Sequence, residues 1–265
     1  MELFFLFAFI LGLFIGSFLN VLIDRIPKEE SILRGRSHCD KCKKTLKWYD
    51  LIPLLSFIIL KGKCRYCSTP LSFYYPVVEL TTGILFVVVL FFVGSINVIN
   101  FINFIFYLFL IGSFIVIFFA DLKYGIIPDK IIFPAIAVSF LYFLINPFGF
   151  AQGEHSSLVI NHLFSAVGAS LFFLLLFLIT KGKGMGFGDV KFAFLMGLIL
   201  GSPNIIVGLY IAFLTGAIIG CILILWRKKR IFGTAIPFGP FLVIGSLTAI
   251  FFGDILAQTF LRVLP

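Results

Sequence analysis

The sequence predicts an all-α membrane protein, a polytopic helix bundle with a small cysteine-containing loop on one side of the bilayer. Of its 265 residues, 61% are hydrophobic and only 12% are charged, whereas apolar residues make up about 45–50% of a typical soluble domain. Long apolar runs recur along the chain, and a helix needs roughly 20 such residues to cross the hydrocarbon core. Helices are the expected form because they satisfy their own backbone hydrogen bonds in lipid.

About eight membrane spans are expected from these runs. The fourth and sixth are short, so helix tilt or local thinning of the bilayer would have to accommodate them. The first is interpreted as a retained anchor and not a cleaved signal peptide, because no basic region precedes it and Asp24-Arg25 follows it. The eight runs are 3–23, 77–93, 101–120, 131–145, 158–180, 190–202, 204–226 and 236–257.

The positive charges orient the bundle. Alternation of the spans places nearly all Lys and Arg on one side, which the positive-inside rule makes the cytoplasm, with both termini outside. Topology therefore explains the net charge of +9, so a nucleic-acid partner is not expected, although the basic face can attract anionic membrane lipid. Of the 21 basic residues, 11 lie in 24–76, 2 in 121–130, 3 in 181–191 and 4 in 227–230.

One region is not membrane-like. We divide the chain into a first span (1–23), a cytoplasmic loop (24–76) and a membrane domain (77–265). The loop carries two Cys-x-x-Cys pairs, Cys39 with Cys42 and Cys64 with Cys67, separated by 21 residues. Two such pairs supply four thiolates to one tetrahedral ion and leave no open position, so they predict a structural Zn²⁺ site.

Two other uses of these cysteines remain open: redox pairs, and thiols with no shared role. Disulfides are disfavoured because charge places the loop in the reducing cytoplasm. The apolar stretch 51–60 between the pairs is too short to cross the bilayer. We expect it to seat the loop at the membrane interface.

Two acids stand at the ends of apolar runs. Asp121 directly follows the run 111–120, and Asp189 shortly precedes the run 192–200. Both are therefore expected at the cytoplasmic rim, where an ionisable group is a functional candidate. Two neighbouring carboxylates tend to share one proton, so one can act as base and the other as acid, as in aspartic proteases. Either could instead be a helix-end carboxylate, and Asp129 is expected to cap the fourth span.

Glycines alternate before Asp189, at 182, 184, 186 and 188. Their spacing fits neither a dinucleotide-binding nor a phosphate-binding loop. Residues without Cβ allow an extended peptide backbone to approach the acid closely, although a flexible linker would have the same composition. Other catalytic sets are poorly supported, because the chain contains no Gly-x-Ser-x-Gly and no His-Glu-x-x-His.

In several blocks the chain resembles the bacterial type IV prepilin peptidases, polytopic aspartic proteases with a Gly-x-Gly-Asp signature. The resemblance implies that Asp121 and Asp189 are catalytic and that Asp129 is not. It also implies cleavage of prepilin or pseudopilin leaders after a glycine, at the cytoplasmic face of the bacterial inner membrane. The matching blocks are 16–21 with Arg25 and Pro27, both cysteine pairs, 53–56, 62–67, 75–79, Asp121 with 127–129, 184–191 and 237–241.

Family members with the four-cysteine loop commonly also methylate the new N-terminal amine with S-adenosylmethionine, so the resemblance implies a second activity. Glu79 is our candidate for binding the amine or assisting methyl transfer; the alternative is a solvated acid at the start of a span. Ser68 departs from the glycine common in the family. Two other functions stay open: a presenilin-type intramembrane protease, which shares Gly-x-Gly-Asp, and a transporter or assembly scaffold that uses the acids for ion coupling or lipid contact.

Overall fold

The computed structural model describes residues 2–32, 35–39, 41–94, 98–145, 155–182, 184–226 and 237–263. These ranges contain nine α-helices and no β-strand, which confirms the all-α prediction. The helices are α1 (Glu2–Arg25), α2 (Leu55–Ile59), α3 (Tyr74–Val93), α4 (Val98–Tyr124), α5 (Asp129–Ile145), α6 (His155–Ile179), α7 (Phe187–Leu200), α8 (Asn204–Trp226) and α9 (Gly239–Val263).

Each of the eight predicted spans coincides with one of these helices. Within the described ranges, α1, α3, α4, α6, α8 and α9 are long and apolar enough to cross a membrane. The two spans predicted to be short are α5, with 17 residues, and α7, with 14. The chain is therefore a multi-pass membrane protein. The basic cluster at 227–230 lies outside the described residues.

The chain forms two compact units, Met1–Val116 and Ile117–Pro265. In the first unit, α1 and α3 meet along a seam of small residues. A Cβ on Gly12 would lie 2.6 Å from the Cα of Gly83, and one on Gly16 would lie 2.7 Å from the Cα of Glu79. Only glycine permits such an approach, as is common where membrane helices pack closely.

The second unit is built around α7. Ten of its 14 residues are buried, and its sequence is apolar on all sides, as expected for a helix surrounded by others. A Cβ on Gly197 of α7 would collide with the backbone of Ser165 and Ala166 in α6. This contact packs the C-terminal half of α7 directly against α6.

Candidate functional site

Asp121 lies in the last turn of α4 and is buried, with 6% of its surface exposed. Its Oδ2 accepts a hydrogen bond of 2.9 Å from the backbone N–H of Gly239. Gly239 is the first residue of α9, and the first N–H groups of a helix have no partner within the helix. The positive end of the α9 dipole therefore faces the Asp121 carboxylate and stabilises its charged form.

The residues around Gly239 explain how this contact is held. A Cβ at position 239 would lie 2.6 Å from Oδ2 of Asp121, so a larger residue would displace the carboxylate. The neighbouring Phe238 ring packs between Phe173 of α6 and Phe213 of α8, with centroid separations of 6.1 and 5.2 Å. These aromatic contacts hold the turn that presents the Gly239 N–H to Asp121.

Asp189 is the third residue of α7 and is also 6% exposed. Its Oδ2 accepts a 3.1 Å hydrogen bond from the N–H of Gly186, the residue that precedes α7. This contact is one half of a capping box, in which the third helical residue caps the residue before the helix. Gly188 is needed for packing, since a Cβ there would lie 2.9 Å from the Cβ of Ile127.

The structure brings the two predicted aspartates together. The charge of Asp121 acts on Asp189 through space, so the carboxylates lie within electrostatic range of each other. Two buried carboxylates that repel one another favour a state in which they share one proton. Such a pair has an acid and a base available at the same place, which is what hydrolysis of a peptide bond requires.

The third acid of this region, Asp129, has a different environment. It begins α5, as predicted, and its side chain is 57% exposed. Its Oδ1 lies 2.6 Å from the Nζ of Lys191, which also lies over the rings of Phe133 and Phe187. Asp129 is therefore paired with a cation, in contrast to the two buried aspartates.

The glycine run before Asp189 ends one helix and begins the next. Gly182 adopts a φ of +71°, and its N–H donates to the carbonyl of Phe177, which closes α6. Gly186 has an extended backbone and is the N-cap residue of α7. These glycines therefore end α6 and start α7. Their expected role in allowing a peptide backbone to approach Asp189 stays a prediction.

The four loop cysteines form a single cluster. All are free thiols, and their Sγ atoms lie within 4.8 Å of one another. The Sγ atoms of Cys39 and Cys67 are 3.8 Å apart, far beyond a disulfide bond of about 2.05 Å. Thiolates about 2.3 Å from a tetrahedral zinc ion are about 3.8 Å from each other, so the cluster fits this metal.

Two copies of one turn build the cluster. In the first, the Cys39 N–H donates to the Lys44 carbonyl at 3.0 Å; in the second, the Cys64 N–H donates to the Thr69 carbonyl at 2.8 Å. The fourth residue after each leading cysteine, Lys43 or Ser68, has a φ of +56° or +54°. This left-handed conformation favours glycine, which accounts for the glycine that resembling proteins often have at the position of Ser68.

Polar contacts organise the same loop. The hydroxyl of Thr69, 3.2 Å from the Cys67 sulfur, together with the Thr69 backbone and the neighbouring Cys42 and Cys64, lowers the pKa of Cys67 to about 6, which favours the thiolate that binds metal. Burial alone would raise the pKa of Asp50, but a 2.6 Å bond from Arg65 helps to lower it overall. Asp50 thereby ties the second cysteine turn to the chain before α2.

Glu79 lies in the second turn of α3 and is only 8% exposed, so the interpretation of it as a solvated acid is wrong. Its Oε2 accepts a 2.9 Å bond from the Leu54 N–H, and the Ser17 side chain lies near the carboxylate. Leu54, at φ +58° and ψ −48°, is the centre of a γ-turn in which the Leu55 N–H donates to the Pro53 carbonyl at 2.6 Å. This type of γ-turn is rare and strained.

Three of these features carried no signal that could be read from composition or spacing: the Gly239 contact to Asp121, the Lys191 partner of Asp129 and the Leu54 contact to Glu79. The resemblance includes the blocks 53–56 and 237–241 but implies no contact for them. Both lie next to acids in the fold, and each supplies a backbone N–H to a buried carboxylate.

Comparison with known proteins identifies relatives over the whole chain. A family model described as the bacterial Peptidase A24 N-terminal domain matches residues 10–93, and one described as the type IV leader peptidase family matches 107–221. The first range contains the four cysteines and Glu79, and the second contains both aspartates. No solved structure matches the chain.

Several bacterial proteins named prepilin leader peptidase/N-methyltransferase are similar over nearly their full length. The protein of Bacillus subtilis (strain 168) is 32% identical, with 96% of each chain covered. The protein of Xanthomonas campestris pv. campestris is 32% identical, covering 95% of this chain and 92% of the relative. The protein of Pseudomonas aeruginosa is 29% identical, covering 96% and 92%.

Proposed function

The chain belongs to the type IV leader peptidase family, and from this membership we propose that it is a prepilin leader peptidase whose catalytic pair is Asp121 with Asp189. The observation that carries the residue assignment is the pair itself: two buried carboxylates, in electrostatic range, each held by one backbone N–H. Asp129 is not part of the pair, because it is exposed and bound to Lys191.

The chemistry follows from one shared proton. The ionised carboxylate takes a proton from a water molecule as its oxygen attacks the carbonyl carbon of the scissile bond, and the protonated carboxyl donates to the carbonyl oxygen. As this intermediate collapses and the C–N bond breaks, the carboxyl that took the proton from water gives it to the leaving amine. The other carboxylate takes back the proton from the hydroxyl of the intermediate, which restores the shared proton. The backbone donors Gly239 and Gly186 hold one oxygen of each aspartate, so the other oxygens are available for the reaction.

The substrate is a prepilin or pseudopilin. Its leader is cut after a glycine and before an apolar helix, which lies in the membrane beside the spans. The pair faces the cytoplasm at the bacterial inner membrane, in contact with membrane lipid; the excess of Lys and Arg in the loops on one side supports this orientation. A pair at the end of α4 and the start of α7 stands at the ends of apolar helices, where a membrane-anchored substrate presents its leader.

The new N-terminal amine is then methylated. S-adenosylmethionine, when bound, supplies an electrophilic methyl group. The segment 24–76 serves this step and holds a structural Zn²⁺ through Cys39, Cys42, Cys64 and Cys67; the 3.8 Å separation of two sulfurs supports this ion. Glu79 assists the step from α3, and 77–265 is the peptidase domain.

Cleavage of a purified prepilin by the purified full chain, followed by mass spectrometry, tests the peptidase assignment. Asp121→Asn and Asp189→Asn keep the size of each side chain and an acceptor oxygen for its N–H donor, but neither can act as a carboxylate. Each is expected to lower the cleavage rate by at least about 10³-fold. Asp254→Asn is the matched control, because Asp254 is bonded to Asn204 at a distant end of α9. Substantial cleavage by either single variant would contradict the assignment.

A further inference from the structure

Glu79 has the environment of a residue that binds a cation. Its carboxylate is buried within a segment that spans the membrane, where ionisable groups are costly and commonly functional. Within the described part of the chain, no Lys, Arg or His forms an ion pair with it. The Leu54 N–H uses only part of a carboxylate that can accept about four hydrogen bonds, and the Ser17 side chain lies near it.

Asn20 supplies a second acceptor on the facing helix. It is 6% exposed, and its Nδ2 donates to the Tyr75 carbonyl at 3.2 Å. Its Oδ1 is buried and has no hydrogen-bond partner among the described residues. Leaving a buried acceptor unpaired is unfavourable, so this atom is a place where a ligand with N–H groups would be stabilised.

The register of α1 and α3 directs these two side chains toward each other. Gly16 contacts Glu79, and one turn later Asn20 contacts Tyr75, so the helices run antiparallel. Side chains on a helix lean toward its N-terminus. Asn20 therefore leans toward the level of Glu79, and Glu79 leans toward the level of Asn20, with Ser17 between them on α1.

We propose that Glu79, Asn20 and Ser17 form the binding site for the N-terminal α-ammonium group of the cleaved peptide. The inference rests on the proposed methylation, and it names the residues that recognise its substrate. A carboxylate, an amide oxygen and a hydroxyl are three acceptors, which match the three N–H donors of an ammonium group. The location of this site within the membrane also fits the substrate, because the new N-terminus is the first residue of an apolar helix.

The site also prepares the nitrogen for reaction. An ammonium group has no free electron pair, so it must lose a proton before it can be methylated. That proton passes to a carboxylate oxygen of Glu79, which becomes a neutral acid. The freed electron pair then forms the N–C bond to the methyl group, and the electrons of the broken C–S bond stay on the sulfur of the donor.

The strained turn at Leu54 contacts the Glu79 carboxylate of this site. It donates its N–H to Glu79 and follows the 3-10 turn Trp48–Leu51 of the cysteine-containing loop. A strained backbone persists where surrounding contacts hold it, and Glu79 is such a contact here.

Peptide binding in the absence of methyl donor tests the site without relying on catalysis. Two fluorescently labelled peptides with the sequence of a cleaved pilin N-terminus are compared by anisotropy, one with a free amine and one N-acetylated. The wild-type chain is expected to bind the free amine at least about tenfold more tightly, the size expected for hydrogen bonds to a charged group. Glu79→Gln is expected to abolish this preference, and Asn20→Ala to reduce it.

Gln at position 79 still accepts the Leu54 N–H, so it separates amine binding from anchoring of the loop. Zinc content and the tryptic pattern of 24–76 are therefore expected to stay unchanged in Glu79→Gln, and Asp254→Asn serves as the control acid. The proposal is overturned if the wild type shows no preference, if Glu79→Gln keeps it, or if Glu79→Gln loses zinc and loop protection. Cleavage of an uncut prepilin is measured on the same samples, so failure of the peptidase function would be seen separately.

Discussion

The cysteine cluster and the aspartate pair are assembled in opposite ways. The cysteines come from two copies of one local turn, and the outermost two, Cys39 and Cys67, are 28 residues apart. The aspartates come from different helices, and the N–H that holds Asp121 is 118 residues away in sequence. With the proposed Zn²⁺ bound, the local turns of the cysteine cluster depend on that ion for their structure. The aspartate pair depends instead on how the helices pack.

Removal of zinc is expected to have the largest effect, and only on the loop. Structural zinc contributes on the order of 10 kcal/mol to the folding of small sites, so a strong chelator should unfold 39–67 and expose its Lys and Arg residues to trypsin. Limited proteolysis with mass spectrometry measures this. Leader cleavage, which depends on residues of the second unit, should fall by less than about tenfold. Loss of leader cleavage to the same extent as loss of loop protection would show that the two sites are not separable.

Gly239→Ala is expected to damage the aspartate pair without unfolding the bundle. The added Cβ would lie 2.6 Å from Asp121 Oδ2 and displace the carboxylate. A displacement of about 1 Å can cost roughly 100-fold in rate, so kcat for cleavage should fall by about that factor while KM changes little. Gly220→Ala is the matched control, because a Cβ there has no atom within 4 Å. An unchanged kcat would exclude the positioning role of Gly239.

Ser68→Gly is expected to stabilise the loop slightly. Ser68 has a φ of +54°, and this left-handed conformation destabilises a residue that has a side chain by about 1–2 kcal/mol. The variant should therefore retain zinc at a higher chelator concentration than the wild type, by a factor of about five to thirty. A lower zinc affinity in Ser68→Gly would contradict this expectation and show that the Ser68 side chain itself stabilises the zinc site.

Lys191→Met should have the smallest effect. It removes the ion pair with Asp129, whose side chain is 57% exposed, and exposed pairs contribute about 0.2–1 kcal/mol. A fall in thermal stability of a few degrees at most and a cleavage rate within about fivefold of wild type are expected. A loss comparable to that of Gly239→Ala would place Lys191 in the reaction itself.

The difference between the two regions also decides what could be predicted from the sequence. The helices could be predicted because each span is a continuous apolar run, and the cysteine cluster because its ligands have a short, regular spacing. Topology predicts that Asp121 and Asp189 lie at the same membrane face, since each borders an apolar run on the same side. That the two carboxylates lie within electrostatic range of each other follows from the packing of the helices and could not be predicted.

Contacts between an acidic side chain and a donor that is distant in sequence could not be predicted. The Gly239 N–H and the Leu54 N–H have no side-chain signature, and their partners are set by how α9 and the γ-turn are placed. The partner of Asp129 likewise depends on the approach of α5 to α7, which brings Lys191 within 2.6 Å. The burial of Glu79 could not be predicted either, because its position near the start of α3 gives no information on what covers it.

The most direct test of the central claim, that Asp121 and Asp189 act as one catalytic pair, is the cleavage rate of the double variant Asp121→Asn/Asp189→Asn beside the two single variants. Residues that act as a unit show losses that do not multiply. The double variant is therefore expected to cleave prepilin no more slowly than the slower single variant. A double-variant loss equal to the product of the two single losses would contradict the claim, because it would mean that the two carboxylates act independently.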